Sequence, residues 1–575
     1  MPENDDNSNL FNFLKKLISF LIIIIAILAW ITYGTLEGVF GALSYFFIGV
    51  LNIFPWVIPI IGIPLGILDV IGIYGFNMYN LTLNFSHLNS SWMTLTWYWL
   101  INILGIILDI VLTVKIISGI RAVKNREEKK AKNIALINCN IIDGNRHSSM
   151  IKDGVILIKN LVEKEETPGL IEAVGPKSQV QIPKDYKTID LKGQYILPGL
   201  INAHCHLTAS GKPSKLMKLS DKSMERLVKF LNTPIGKKLL YKMMKKNALN
   251  ALNAGVTTLR AMSDPCYIDV KLRDDINKGK LIGPRILVAG KGICITGGHG
   301  WAMSFVADSV PEIRKAVRKN LRMRVDHIKI LSTGGVMDAR KVGEAGRPQM
   351  TVEEIETACY EAHRGGLLVA THCESTQGIR EALEGGVDSI EHGAEITDDL
   401  IPLFKNNPKS LRGYTVITPT ISAGMGMAVL PKEVTKITNE SLENAKIIEV
   451  GMIKALQKAY KEGLRISCGT DASVPYSLQY EMWKELKYYI KYTDMTPQEA
   501  IYFATKGNAE NLGIDDTTGS IEVGKSADLQ VVKGNPLENI DYLGDVSMVI
   551  IRGKIIKHPR VKRVKKLETF EPLEL

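Results

Sequence analysis

Eight short apolar runs alternate with amphipathic stretches between residues 199 and 514, and this alternation limits the possible folds more than any other feature of the chain. The runs read LINAHCHL, VTTLRAM, RILVAG, HIKILS, LLVATHC, DSIEHG, YTVITPT and LRISCGTD. Each has strand length, and the stretches between them carry helical periodicity. Thr351 and Glu354 make a capping-box signal that opens one such helix. Strand–helix alternation yields parallel strands that return through helices. Eight units over roughly 300 residues suit a closed (β/α)8 TIM barrel with insertions. An open doubly wound sheet fits less well, because no glycine-rich phosphate loop follows the first strand.

Two β-rich segments bracket the barrel. Before it come IALINCNIID, GVILIKN, GLIEAVG and TIDLKGQYILPG; after it come GSIEVGKSADLQVVKG and VSMVIIRGKIIK. Gly and Asp punctuate both sets, as in hairpins. The expectation is one composite β-sandwich domain built from 133–198 and 515–567, around a barrel of 199–514.

The first part of the chain differs in kind. No Lys or Arg occurs from Leu17 to Val114. Apolar runs at Leu17–Ile31, Val39–Phe54, Trp56–Phe76 and Met93–Ile120 approach the roughly 20 residues that a membrane span needs. They predict an all-α transmembrane domain of about four helices over 1–120. The basic linker 121–132 and Lys15-Lys16 would hold both ends on the cytoplasmic side. The implied location is a multi-pass membrane protein with a cytoplasmic catalytic domain. The net charge of +11 is concentrated in two basic runs, from Arg121 and from Lys557, which reads as contact with membrane lipids and not with nucleic acid. Seven cysteines without a C-x-x-C pair suggest free thiols.

Functional side chains of a TIM barrel sit at the C-terminal ends of its strands. His204 and His206 end the first strand run; two residues apart, they share a face, with Cys205 opposite. His372 ends the fifth run, His392 the sixth and Asp471 the eighth. Four imidazoles and a carboxylate at one rim read as a metal site. Lys329, in the fourth run, would be costly inside a barrel unless paired or modified. Either a carbamate formed with CO2 or an ion pair with Asp471 answers that cost. His327 shares its strand face but lies near the strand's start, and reads as structural. His299, in Gly297-Gly298-His299-Gly300, faces the same mouth and reads as a substrate or oxyanion contact.

The stretches LPGLINAHCHL, GGHG, HIKILSTGGV, VATHCES, DSIEHG, SCGTDA and GSIEVGKSADLQVVKGNPLENI resemble the amidohydrolase superfamily over residues 133–565. They look most like its imidazolonepropionase-related and Xaa-Pro or Xaa-Arg dipeptidase branch. The resemblance implies two divalent metal ions, with zinc expected. His204, His206 and Asp471 would hold one ion, His372 and His392 the other, and carbamylated Lys329 would bridge them. It implies hydrolysis of an amide or peptide bond in a small molecule such as a dipeptide or N-acyl amino acid, with Asp471 as the proton carrier. Many relatives have a second His two residues after the fifth-strand ligand. Glu374 stands there in this chain, and would favour a cationic or free-amino substrate group if it faces the pocket. Three alternatives stay open: a hydrolase of cyclic amides or lactones, a deaminase of the same superfamily, and a non-catalytic membrane sensor that keeps the barrel. Homo-oligomer formation is left open as well.

Overall fold

Strand-forming residues from both flanks of the barrel sequence meet in one sheet. The computed structural model of the protein describes residues 133–160, 169–212, 220–435 and 437–564. The first flank supplies β1 (Ile134–Ile141), β2 (Ile151–Lys159), β3 (Leu170–Pro176), β4 (Lys187–Asp190) and β5 (Tyr195–Pro198). The barrel follows with β6 (Leu200–Cys205), β7 (Val256–Ala261), β8 (Arg285–Val288), β9 (Gly292–Cys294), β10 (Ser304–Val306), β11 (His327–Leu331), β12 (Leu368–Cys373), β13 (Ser389–His392) and β14 (Val416–Thr418). The second flank adds β15 (Leu529–Val532), β16 (Val546–Ile551) and β17 (Lys554–Lys557).

The junction of the flanks is β5 against β15, antiparallel from Pro198 opposite Leu529 to Tyr195 opposite Val532. The sheet runs β17-β16-β15-β5-β1-β2-β3, with β4 on β1. Hydrogen bonding is continuous along this path, so the expected sandwich is one eight-stranded sheet. Alternating apolar residues fill one face: Leu136, Ile156, Ile158, Ile196, Leu529 and Ile550 pack into a single cluster.

The barrel closes by backbone bonds between two parallel arcs, β6-β7-β8 and β10-β9-β11-β12-β13-β14. Asp326 N–H donates to Val288 O at 2.8 Å, joining β8 to the residue before β11. On the other side, Ser467 N–H donates to Ile417 O (2.9 Å), and Ala203 N–H to Cys468 O (3.0 Å). The eighth run is thus held between β14 and β6 by isolated bridges and forms no regular ladder. Gly469 explains part of this. A Cβ there would stand 2.6 Å from His204 Cβ, so only glycine lets the two backbones approach. The helix Val352–Arg364 opens with the expected capping box of Thr351 and Glu354.

The transmembrane expectation requires correction. No helix among the described residues is long and apolar enough to cross a membrane. Among the described residues the fold is α/β, and the expected multi-pass location with a cytoplasmic barrel is not supported. The four expected spans of 1–120 and the basic linker 121–132 lie outside the described residues. All seven cysteines are free, and all but Cys266 are buried.

The cross-flank core makes a stability test. Leu529 is fully buried there. Leu529→Ala is expected to destabilise the fold by about 2–5 kcal/mol, and Leu529→Met by less than about 1.5 kcal/mol, in urea unfolding. Equal midpoints for the alanine variant and the unaltered chain would show that the junction contributes nothing.

Candidate metal centre

Apart from His327, the first residue of β11, the barrel residues singled out from the sequence lie in or just beyond strands that lead to one mouth. Groups from five elements meet there: His204 of β6 with His206 just beyond it, Lys329 of β11, His372 of β12, His392 of β13 and Asp471 after the eighth run. His204, His392 and Asp471 offer ligand atoms within 4.8 Å of one another, and so do His372, Glu374 and His392. His392 is common to both groups. His206 belongs to neither, although its Nε2 lies 3.2 Å from Asp471 Oδ1, against 3.4 Å for His204 Nε2.

Hydrogen bonds behind the rings orient them. His204 Nδ1 is 2.7 Å from Glu391 Oε2, His206 Nδ1 is 2.9 Å from Ser263 O, and His392 Nδ1 is 2.7 Å from Thr420 Oγ1. In each case the second nitrogen, Nε2, is left for the interior, the usual arrangement for a metal-binding imidazole. His372 differs: its Nε2 lies 3.3 Å from Gly334 O and 3.6 Å from Glu374 Oε2. Burial holds His372 and His392 well below the ordinary imidazole range, which keeps their lone pairs available. Burial pushes the Asp471 carboxyl up, but His204 and His206 outweigh it and keep it ionised.

Backbone strain marks the same places. His392 and Asp471 have φ of +70° and +49°, values that non-glycine residues seldom adopt. The turn at His392 breaks strand alternation. Adjacent side chains should point to opposite faces, yet Glu391 and His392 are both buried toward the barrel interior. Glu391 was missed in the sequence for this reason, although it sits inside DSIEHG. Its carboxylate takes Arg260 Nη1 at 3.3 Å, Ser389 Oγ and His204. Burial raises its pKa, but Arg260 and His204 overcome that and leave it at about 2.

Lys329 is the anomaly of the site. It is 2% exposed, and its Nζ has no hydrogen-bond partner. The alternative ion pair with Asp471 is not formed. Burial pulls the ammonium down to about 8, with Glu391 and Asp471 opposing. Glu374 does face the mouth; its Oε2 has no hydrogen-bond partner, and burial pushes the carboxyl up to about 8. His327 is buried beside Met262 Sδ at 3.3 Å.

His299 stacks on His372 with ring centroids 4.2 Å apart, and its Nδ1 is 2.5 Å from Asp338 Oδ2. Burial lowers the His299 pKa, but Asp338 more than compensates and raises it. Asp338 gave no sequence signal beyond its place after GGV. Gly335 is part of the same fit, since a Cβ there would lie 2.5 Å from His299 Cε1.

These residues fit a divalent metal centre. Buried nitrogen and oxygen donors form two groups that share His392, Lys329 Nζ and Glu374 Oε2 are buried without hydrogen-bond partners, and the outward ring nitrogens of His204, His206 and His392 are anchored. A family model described as "Amidohydrolase family" matches residues 195–556. The chain belongs to the amidohydrolase family. It is a hydrolase that acts on the carbon–nitrogen bond of amides. A candidate prolidase from Bifidobacterium longum is 36% identical, with a TM-score of 0.66 over 76% of this chain and 98% of its own. A Xaa-Pro dipeptidase with methionine in its active site is 30% identical, with a TM-score of 0.61 over 74% of this chain and all of its own. The ochratoxinase of Aspergillus niger is 26% identical over 349 residues, 55% of this chain and 69% of that protein.

The support of His204 by Glu391 can be measured in this amidohydrolase. Glu391→Gln keeps the shape and removes the charge behind the ring. Metal affinity is expected to fall by about 10–100-fold in a chelator competition. An unchanged affinity would show that Glu391 serves only the Arg260 pair.

Proposed function

We propose that the chain hydrolyses a dipeptide or an N-acyl amino acid at a centre of two divalent ions, with zinc as the expected metal. One observation carries this reading: the ligand groups of His204, His392 and Asp471, and of His372 and His392, cluster in the barrel where the buried Nζ of Lys329 has no hydrogen-bond partner. In this reading His204, His206 and Asp471 hold one ion, and His372 and His392 the other. Lys329 would join them as a carbamate: the ammonium first gives up one proton, the free amine nitrogen then bonds to the carbon of CO2, and a second proton leaves that nitrogen, so a buried cation becomes an anion. That change removes the cost of an unpaired buried ammonium. When bound, the metal pair supplies Lewis acidity, which lowers the pKa of a water and polarises a carbonyl.

The chain's own groups do the remaining work. Asp471 Oδ1, beside His204 and His206, accepts a proton from the attacking water and returns it to the leaving nitrogen. His299, its pKa raised by Asp338, stands against His372, where a ring N–H donates to the oxyanion or to a substrate carboxylate. Glu374 recognises a cationic or free-amino group, whose positive charge draws the buried carboxyl into its ionised form. The likeness to a Xaa-Pro dipeptidase supports dipeptides as the class to test first.

The test is a panel of dipeptides, N-acyl amino acids and cyclic amides, assayed with the full chain loaded with zinc or manganese. Release of free amino acids with two ions bound per chain is expected. Turnover confined to cyclic amides would move the protein to that alternative. No turnover with any metal would leave a non-catalytic barrel.

Two variants examine the roles. Lys329→Ala is expected to lose metal from the site and most activity, with partial rescue by short carboxylic acids, read by elemental analysis and rate together. An alanine variant with full metal content and rate would reduce Lys329 to a packing residue. Asp471→Asn is expected to lower kcat by about 10²–10⁴-fold with a smaller effect on KM, the range for a positioned acid–base group. Metal content is measured in the same sample, and a near-normal kcat rejects the assigned role.

A further inference from the structure

The helix Pro234–Asn253 presents an unusual stripe. Ile235, Leu239 and Met243 follow one another at four-residue spacing, yet are 68%, 51% and 40% exposed. Residues at this spacing lie above one another on one helix face. Such a face is normally buried, and here nothing among the described residues covers it. Lys238, Lys242 and Lys246 lie on or beside the stripe, exposed and without an ion pair among the described residues. The face is therefore apolar along its centre and cationic along its edge.

The same helix face continues through Lys246 to Asn250 and Asn253, at spacings of three and four. There it already holds a strap. Asn253 Nδ2 donates to Arg560 O at 3.0 Å. Asn250 bonds Lys562 twice, donating to its carbonyl (3.3 Å) and accepting from its N–H (2.7 Å). The next fixed point is Val564 N–H, which donates to Tyr480 Oη at 2.7 Å. From Arg560 to Lys562 the strap advances from Asn253 to Asn250, toward the start of the helix and thus toward Met243, Leu239 and Ile235.

We propose that the chain's own C-terminal residues 565–575, which lie outside the described residues, dock along this stripe. The sequence complements the face: Leu567, Phe570 and Leu573 recur every third residue, and so do Glu568, Glu571 and Glu574. From Leu567 to Leu575 there is no Lys or Arg. Apolar side chains cover Ile235, Leu239 and Met243, and the glutamates answer the lysines. The length suffices: eleven residues extend up to about 36 Å, against about 22 Å of helix from Asn250 back to Ile235. A second copy of the helix fits less well, because its lysines would face these lysines. The proposal is independent of the hydrolytic reading.

The experiment compares the full chain with a version ending at Val564, by hydrogen exchange over 234–246 and by tryptic cleavage at Lys238 and Lys242. Truncation is expected to speed both. A fluorescent peptide of residues 565–575 should bind the truncated protein, bind the full chain at least about tenfold more weakly, and lose affinity with rising salt. Leu239→Ser with Met243→Ser should weaken peptide binding by at least about tenfold. In the full chain, replacing Glu568, Glu571 and Glu574 with Gln should reproduce the faster exchange, which separates docking from damage caused by truncation. Equal exchange in all forms, or a peptide that fails to bind or binds full and truncated chains alike, overturns the proposal. Protection that persists after truncation assigns the face to another segment of the chain outside the described residues, and protection that disappears on dilution assigns it to a second copy; either result also overturns it.

Discussion

Glu391 decides the charge balance of the barrel interior. From β13 it reaches His204 of β6 and Arg260 of β7, and Ser389 completes its shell. Without it, Arg260 would be a buried cation beside the buried Lys329, and His204 would lose the acceptor that fixes its ring. Charges at this depth are tolerated only when each has a partner. The pairing also ties opposite sides of the ring together, so the electrostatics of the centre and closure of the barrel are one constraint.

That constraint explains the strained backbone. A strand presents alternate residues to one face, and the rim has few positions from which a side chain can reach the axis. Left-handed turns at His392 and Asp471 bring side chains into the mouth that regular strands would send elsewhere. Such conformations cost on the order of 1–3 kcal/mol each and persist where surrounding bonds over-determine them. Here the anchors are Thr420 behind His392, and His204 O, which accepts from Asp471 N–H at 2.8 Å. Gly469 and Gly335 do the complementary task, leaving out the Cβ atoms that would push His204 and His299 away.

The lone Lys329 ammonium is the part that protein groups do not balance. Four imidazoles, of which burial holds His372 and His392 uncharged, cannot neutralise it, and Asp471 is engaged by His204 and His206. A site with donors in excess and one misplaced cation is organised for something other than its own side chains.

The sequence by itself determined the alternation of strands and helices, the rim positions of His204, His206, His372, His392 and Asp471, and the pairing of the two β-rich flanks. Each follows from local periodicity or from spacing along one strand, which tertiary contacts rarely override. It reads the apolar first segment as a membrane domain, but that segment lies outside the described residues, and no helix among those is long and apolar enough to cross a membrane. It also left open whether Lys329 pairs with Asp471 and whether Glu374 faces the mouth. Only the tertiary structure decided those points, and only it revealed Glu391 and Asp338 behind His204 and His299. Those partners come from distant parts of the chain and depend on where the closed ring sets one strand end against another, which no local pattern encodes.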